Sequence, residues 1–101
     1  MISVENHIPV KKEFREAFEA RFKSGTRHVQ DFPGFLMNEV LRPIKGDHYI
    51  VRTYWDSMES FEKWTRSESF KQAHANTPPL DMFTGKSFLT IHEVIIQTKK
   101  E

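Results

Sequence analysis

The stretch Phe35-Leu36-Met37-Asn38-Glu39-Val40-Leu41, followed by Pro43 and Lys45-Gly46-Asp47 and then by Tyr49-Ile50-Val51-Arg52-Thr53-Tyr54-Trp55, decides the fold. Its second run is rich in β-branched and aromatic residues, and its middle has the proline, glycine and aspartate of a short connection. It reads as two strands joined in a hairpin. On both sides the pattern changes. Upstream, Val10, Phe14, Phe18 and Phe22 recur every four residues with Ala17 beside them. Lys11, Lys12, Glu13, Arg15, Glu16 and Glu19 take the other faces, which makes an amphipathic helix. Pro9 opens that helix, where a missing N–H costs nothing. The helix ends before Ser24-Gly25, ahead of the turn Asp31-Phe32-Pro33-Gly34.

Downstream, Asp56 with Glu59 three residues on is a capping-box pattern that starts a second helix. Phe61 and Trp64 share a face of it. Ser67-Glu68-Ser69 interrupts the apolar period, Phe70, Ala73 and His74 resume it, and Pro78-Pro79 forbids helix beyond. Two more strands flank these helices. In residues 2–8, Ile2, Val4, Asn6 and Ile8 alternate with Ser3, Glu5 and His7. Residues 87–96, from Ser87 to Ile96, form the last strand, and the tail at about 97–101 is frayed.

The order β-α-β-β-α-β predicts an α+β, ferredoxin-like unit with one antiparallel sheet and both helices on one face. In the last strand Leu89, Ile91 and Ile95 form one row, while Phe88, Val94 and Ile96 crowd the other. A sheet with apolar residues on both faces needs a partner, most simply a second copy, so a homodimer is expected.

Composition narrows the function. With 101 residues, the chain is expected to be a single domain over 1–101. Aromatics make up 13%, enough for a useful core in so short a chain. The absence of cysteine excludes a disulfide scaffold, a zinc ribbon, an iron–sulfur cluster and thiol catalysis. Fifteen basic against fourteen acidic residues is not the footprint of a nucleic-acid binder. The start has no basic segment and apolar run of a signal peptide, and no stretch nears the roughly 18 apolar residues of a membrane span. The expectation is a cytoplasmic protein with neither nucleic acid nor membrane as partner. No G-x-S-x-G elbow and no glycine-rich phosphate loop is present.

Three residues are odd for a purely structural domain. Asn6 is an amide on an apolar strand face; it either bonds a neighbouring loop or faces a cavity as a donor. Trp64 is either core filler or one wall of a cavity for a large flat ligand. His74 closes a helical segment; it either meets the helix dipole and free carbonyls or acts as an axial metal or haem ligand. His7 and His92 fall opposite the main apolar rows, His48 begins a strand and His28 lies in a loop. No two histidines have the i, i+4 spacing of a helical zinc site.

The segment from Phe61 to His74, with its F-x-x-W and F-K-x-A-H elements, resembles the signature of the IsdG-type haem-degrading monooxygenases. These belong to the antibiotic-biosynthesis-monooxygenase superfamily. An Asn near the end of the first strand, at Asn6, completes the pattern. Arg21-Phe22 and Pro33-Gly34-Phe35 are also similar, and the resemblance spans residues 2–96. It implies a homodimer whose sheets form a dimeric α+β barrel, with one haem pocket per protomer. It further implies that haem is both substrate and cofactor, consumed with O2 and electrons from an external reductase or small reductant.

By the same resemblance His74 is the axial ligand of the haem iron, Asn6 the distal amide and Trp64 the indole that forces the porphyrin out of plane. Phe22 and Phe70 then line the pocket, and Arg21 neutralises a propionate. In one straight helix Trp64 and His74 would stand about 15 Å apart along the axis and about 80° apart around it. One haem touching both requires a bend, and Ser67, a good N-cap, predicts a break near residues 66–69. The connection Asn76-Thr77-Pro78-Pro79-Leu80-Asp81-Met82-Phe83 departs from the family's best-known members; it is expected at the pocket mouth. Two rival readings share these residues. A cofactor-independent, quinone-forming oxygenase of the same superfamily has no need of an iron-ligating His74. A non-catalytic haem-binding or haem-sensing dimer keeps His74 but leaves haem intact.

Overall fold

The computed structural model describes residues 1–24, 29–75 and 78–101. His28, Asn76 and Thr77 lie outside them. The central strand β1 (Ile2–Pro9) pairs antiparallel on one side with β3 (His48–Trp55) and on the other with β4 (Phe88–Glu93). The strand β2 (Phe35–Leu41) completes the sheet against β3, with an irregularity between Phe35 and Met37. The order β2-β3-β1-β4 is the one expected of a ferredoxin-like α+β unit. Helix α1 (Arg15–Ser24) lies between β1 and β2 in the chain, and α2 (Met58–Thr65) and α3 (Glu68–Ala73) between β3 and β4.

The first helix begins later than its apolar period suggests. Pro9 ends β1 instead of opening a helix. The Val10 N–H donates to the Asp47 carbonyl and the Lys11 N–H to the Met82 carbonyl, both at 2.9 Å. With those donors consumed by distant loops, the chain stays extended until a 3-10 turn at Lys12–Phe14 leads into α1, which includes Ser24. The second helix also starts one residue later than expected. Its N-cap is Ser57, whose Oγ accepts from the Ser60 N–H at 3.2 Å, and Asp56 instead accepts from the Ser60 hydroxyl at 2.6 Å. The last strand is shorter than the apolar run; the Val94 N–H still reaches the Met1 carbonyl at 3.0 Å, but residues 94–101 have no regular structure.

Gly34 is where a side chain is forbidden. Its φ is +88°, and an added Cβ would lie 2.3 Å from Ser60 Oγ. Its carbonyl accepts from the Asp56 N–H at 2.9 Å, so the turn before β2 is held against the start of α2.

The helices cover one face of the sheet, and the core there divides in two. One cluster gathers Val4, Trp55 and Trp64, with Ile2, Phe32, Phe35, Phe61 and Phe70 around them. The other gathers Val10, Phe18, Tyr49 and Met82, with Ile8, Phe14, Phe22 and Phe83. Met82 comes from a 3-10 turn at Leu80–Met82, so the later part of the 76–83 connection seals the second cluster. The opposite face carries a polar row. Arg52 bonds Glu5 at 2.8 Å and Glu39 at 3.4 Å, and His92 Nδ1 meets Glu5 at 2.7 Å. Burial pushes the Glu5 carboxyl up, but its bonds to Arg52 and His92 outweigh that and hold it below the usual range.

Candidate active site

Asn6 stands between the two core clusters. On β1 it follows Val4 of one and precedes Ile8 of the other on the same face, because strand side chains alternate with period two. Its neighbours across the sheet are Val51 and Leu89. It is half-buried, and among the described residues its side-chain amide has no hydrogen-bond partner. Leu89 and Ile91, on the helix-bearing face at the β4 edge, are 53% and 39% exposed, which leaves an apolar opening beside Asn6.

Trp64 is buried in the last turn of α2. Its ring meets Phe32 at 5.4 Å, Trp55 at 6.2 Å and Phe70 at 5.7 Å, and this aromatic packing gives the indole little freedom to move. The expected break follows directly. Arg66 caps the end of α2, and Ser67 is the N-cap of α3, its Oγ accepting from the Phe70 N–H at 3.1 Å.

His74 is the exposed C-cap of α3. Its Nδ1 lies 2.8 Å from the Phe70 carbonyl, and its ring lies against the Phe70 ring with centroids 4.1 Å apart. A carbonyl only accepts, so Nδ1 carries a proton and donates it there. The C-terminal carbonyl contact that a structural histidine would make is therefore present, but among the described residues it uses only one nitrogen.

Phe22 sits on α1 and belongs to the second cluster, with its ring edge-on to Phe18 at 5.1 Å. It borders an open cleft of about 430 Å³ with Glu19, Lys23, Asn38, Arg42 and Tyr49. Arg21 precedes it on the same helix, half-buried. The structure thus joins Trp64, Phe70 and His74 in one aromatic chain and places Phe22 with the other cluster, with Asn6 between.

Two features escaped the sequence reading. Val51 and Leu89 flank Asn6, which the period of β3 and β4 signals only once register is known. Tyr49 donates its hydroxyl to Glu19, and Arg42 grips the same carboxylate through Nε at 2.7 Å and Nη2 at 2.5 Å. The Arg42 bonds first, then that of Tyr49, hold the Glu19 carboxyl down at about 2. No spacing along the chain announces that trio.

Comparison with known proteins places this geometry. Residues 1–76 match the antibiotic biosynthesis monooxygenase family. A staphylobilin-producing haem oxygenase of Staphylococcus haemolyticus is 37% identical over 75% of each chain. A mycobilin-producing haem oxygenase of Mycobacterium tuberculosis is 35% identical over 89% of this chain and 86% of its own. The structure of the haem degrader MhuD from Mycobacterium tuberculosis, with two haems in its active site, superposes with a TM-score of 0.81 at 32% identity. That match covers 98% of this chain and 100% of the other. An MhuD mutant with two manganese protoporphyrin IX molecules per active site gives 0.84 at 32% identity, over 99% and 100%. The chain belongs to the antibiotic biosynthesis monooxygenase family, as a homologue of its haem oxygenases.

Proposed function

We propose that the protein is a haem-degrading monooxygenase that takes haem as substrate through His74 and opens the porphyrin with O2 and electrons from an external donor, releasing iron. The observation that carries this reading is the 2.8 Å bond between His74 Nδ1 and the Phe70 carbonyl. It commits Nδ1 to the backbone and leaves Nε2 as the nitrogen that would meet iron, on an exposed helix end. One protein nitrogen suits an iron already held by the four nitrogens of a macrocycle. Among the described residues no three or more His, Asp or Glu gather as a metal site, so a bare ion has no comparable set of ligands here.

Haem, when bound, supplies the oxygen and redox chemistry. The chain supplies position and shape. Trp64, backed by Trp55 and Phe32, is a stiff wall that a flat ring must bend against. Asn6 offers an uncharged N–H donor with no readily lost proton, which polarises an oxygen ligand without feeding it an acid. Phe70 packs behind His74 and keeps its ring from turning. Phe22 gives the far side an apolar edge, and Arg21 is the cation for a propionate.

The reading includes a homodimer whose open sheet faces meet in a dimeric α+β barrel. On that face Glu5 and Arg52 already satisfy each other, so covering them costs less than burying either alone. The electron donor is a reductase or small reductant of the cytoplasm, where the reading places the protein. No described helix is long and apolar enough to cross a membrane.

The test is an absorbance titration of the protein with haemin, wild type beside His74→Ala, followed by ascorbate in air with catalase present. A saturable Soret band that the substitution abolishes, then bleaching and iron release in wild type, is the expected result. A Soret band stable to ascorbate and to reductase-driven turnover would make the protein a haem carrier. No band would point to the cofactor-free oxygenase.

A further inference from the structure

We propose that Ser67 is a positioning residue of the haem site, whose hydroxyl sets the placement of Trp64 relative to His74; the inference rests on the haem reading above. Ser67 Oγ donates to the Trp64 carbonyl at 2.7 Å and accepts from the Phe70 N–H at 3.1 Å. The Phe70 carbonyl in turn accepts from His74 Nδ1 at 2.8 Å. Three hydrogen bonds in series thus run from the backbone of the wall residue to the ring of the ligand residue. The Phe70 ring runs alongside them, 5.7 Å from Trp64 and 4.1 Å from His74.

An N-cap needs only to accept. Among the described residues a second capping serine shows the ordinary case: Ser57 Oγ accepts from the Ser60 N–H, and its own proton goes to the side chain of Asp56 or Ser60. Ser67 instead turns its proton back onto the last turn of the preceding helix, at the residue that forms the wall. A backbone N–H would also close that turn, and Ser67 supplies one to the same carbonyl at 3.0 Å. The hydroxyl is therefore additional to what ending α2 requires. It ties the start of α3 to the end of α2 and so sets the angle between them. Distortion of a flat macrocycle depends on where the wall stands relative to the anchor, so this angle is the quantity the site must hold.

Three substitutions separate the donor from the cap. Ser67→Thr keeps both bonds, Ser67→Asp keeps the cap acceptor but has no proton for the Trp64 carbonyl, and Ser67→Ala loses both. Each full-length variant is loaded with haemin and compared with wild type by Soret absorbance, by the hyperfine-shifted haem methyl signals of the ferric form and by turnover with ascorbate. Circular dichroism checks that helix is retained, which the Asp cap protects if the Ala variant fails to fold.

The expected result is that the Asp variant binds haemin through His74 with nearly wild-type affinity. Its haem methyl pattern changes and kcat falls about tenfold, as a misplaced reacting centre predicts. Ser67→Thr restores both. A wild-type methyl pattern and kcat in the Asp variant overturns the inference, and so does a Thr variant as impaired as the Asp one. If wild type itself binds no haemin, the haem reading falls and this one with it, an outcome distinct from the other two.

Discussion

The two aromatic clusters on the helix-bearing face use similar residues and end in opposite ways. In the cluster around Tyr49, the one polar group of the ring is given to Glu19, and Arg42 completes the carboxylate. Met82 closes that end from the far side of the chain. In the cluster around Trp55 and Trp64, the Trp55 indole is satisfied within the sheet by Thr53 Oγ1 at 3.0 Å. The outer edge of that cluster, however, leads through Phe70 to a histidine that, among the described residues, has one nitrogen engaged and one left over. Where polar atoms close on one another, aromatic residues hold the fold. Where an aromatic series ends on His74, the proposed haem site would begin.

The comparison breaks most easily at its structural side. Trp55 is fully buried, so Trp55→Ala should cost about 3–5 kcal/mol by denaturant unfolding. A loss under 1 kcal/mol would mean that this cluster is not core. Next comes Asn6→Ala, expected to lower turnover at least about tenfold, about 1.4 kcal/mol of barrier. Haemin binding should persist, and stability should stay within about 0.5 kcal/mol, since among the described residues no bond to the amide is lost. Unchanged turnover would remove the role proposed for Asn6.

Smaller is Tyr49→Phe, which removes one bond to an ionised carboxylate and should cost about 1–2 kcal/mol in thermal or urea unfolding. The last prediction is a dependence on acid. Glu19 has a folded-state pKa of about 2 against an ordinary 4.5, so its stabilisation is complete above about pH 4.5 and drains away as pH falls towards 2. Melting temperatures of wild type and Glu19→Gln, followed from pH 6 to pH 2, should differ most at pH 6 and converge in acid. A constant gap would show that the Arg42 and Tyr49 contacts do not act through the carboxylate.

Much of the fold was legible. The Phe35–Leu41 strand appears at its expected limits, and the next runs from His48 to Trp55, His48 opening it as read, because both are bounded by turn residues that act locally. The break between Trp64 and His74 was legible too, since Ser67 caps through atoms three residues away. At Pro9 the structure departs from the local pattern, because nothing near it in the chain reveals that Asp47 and Met82 take the next two N–H groups. Ser57 displaced Asp56 as cap for a subtler reason: two adjacent residues were both able to cap, and the docking of Gly34 against Asp56 favoured one. Asn6 stood out as a break in alternation, but its isolation between two clusters became visible only after strand pairing set Val51 and Leu89 beside it.

The pattern of this sequence by itself determined the order of elements, the apolar face of the first strand and the place where the second helix must bend. Those follow from periodicity, turn chemistry and capping, which act within a few residues. Only tertiary structure decided where the first helix begins, how Glu19, Tyr49 and Arg42 meet, and which charges gather on the open face. Those depend on hydrogen bonds between residues up to 87 positions apart, as for Glu5 and His92. Bonds of that span exist only after the sheet has brought its strands into register.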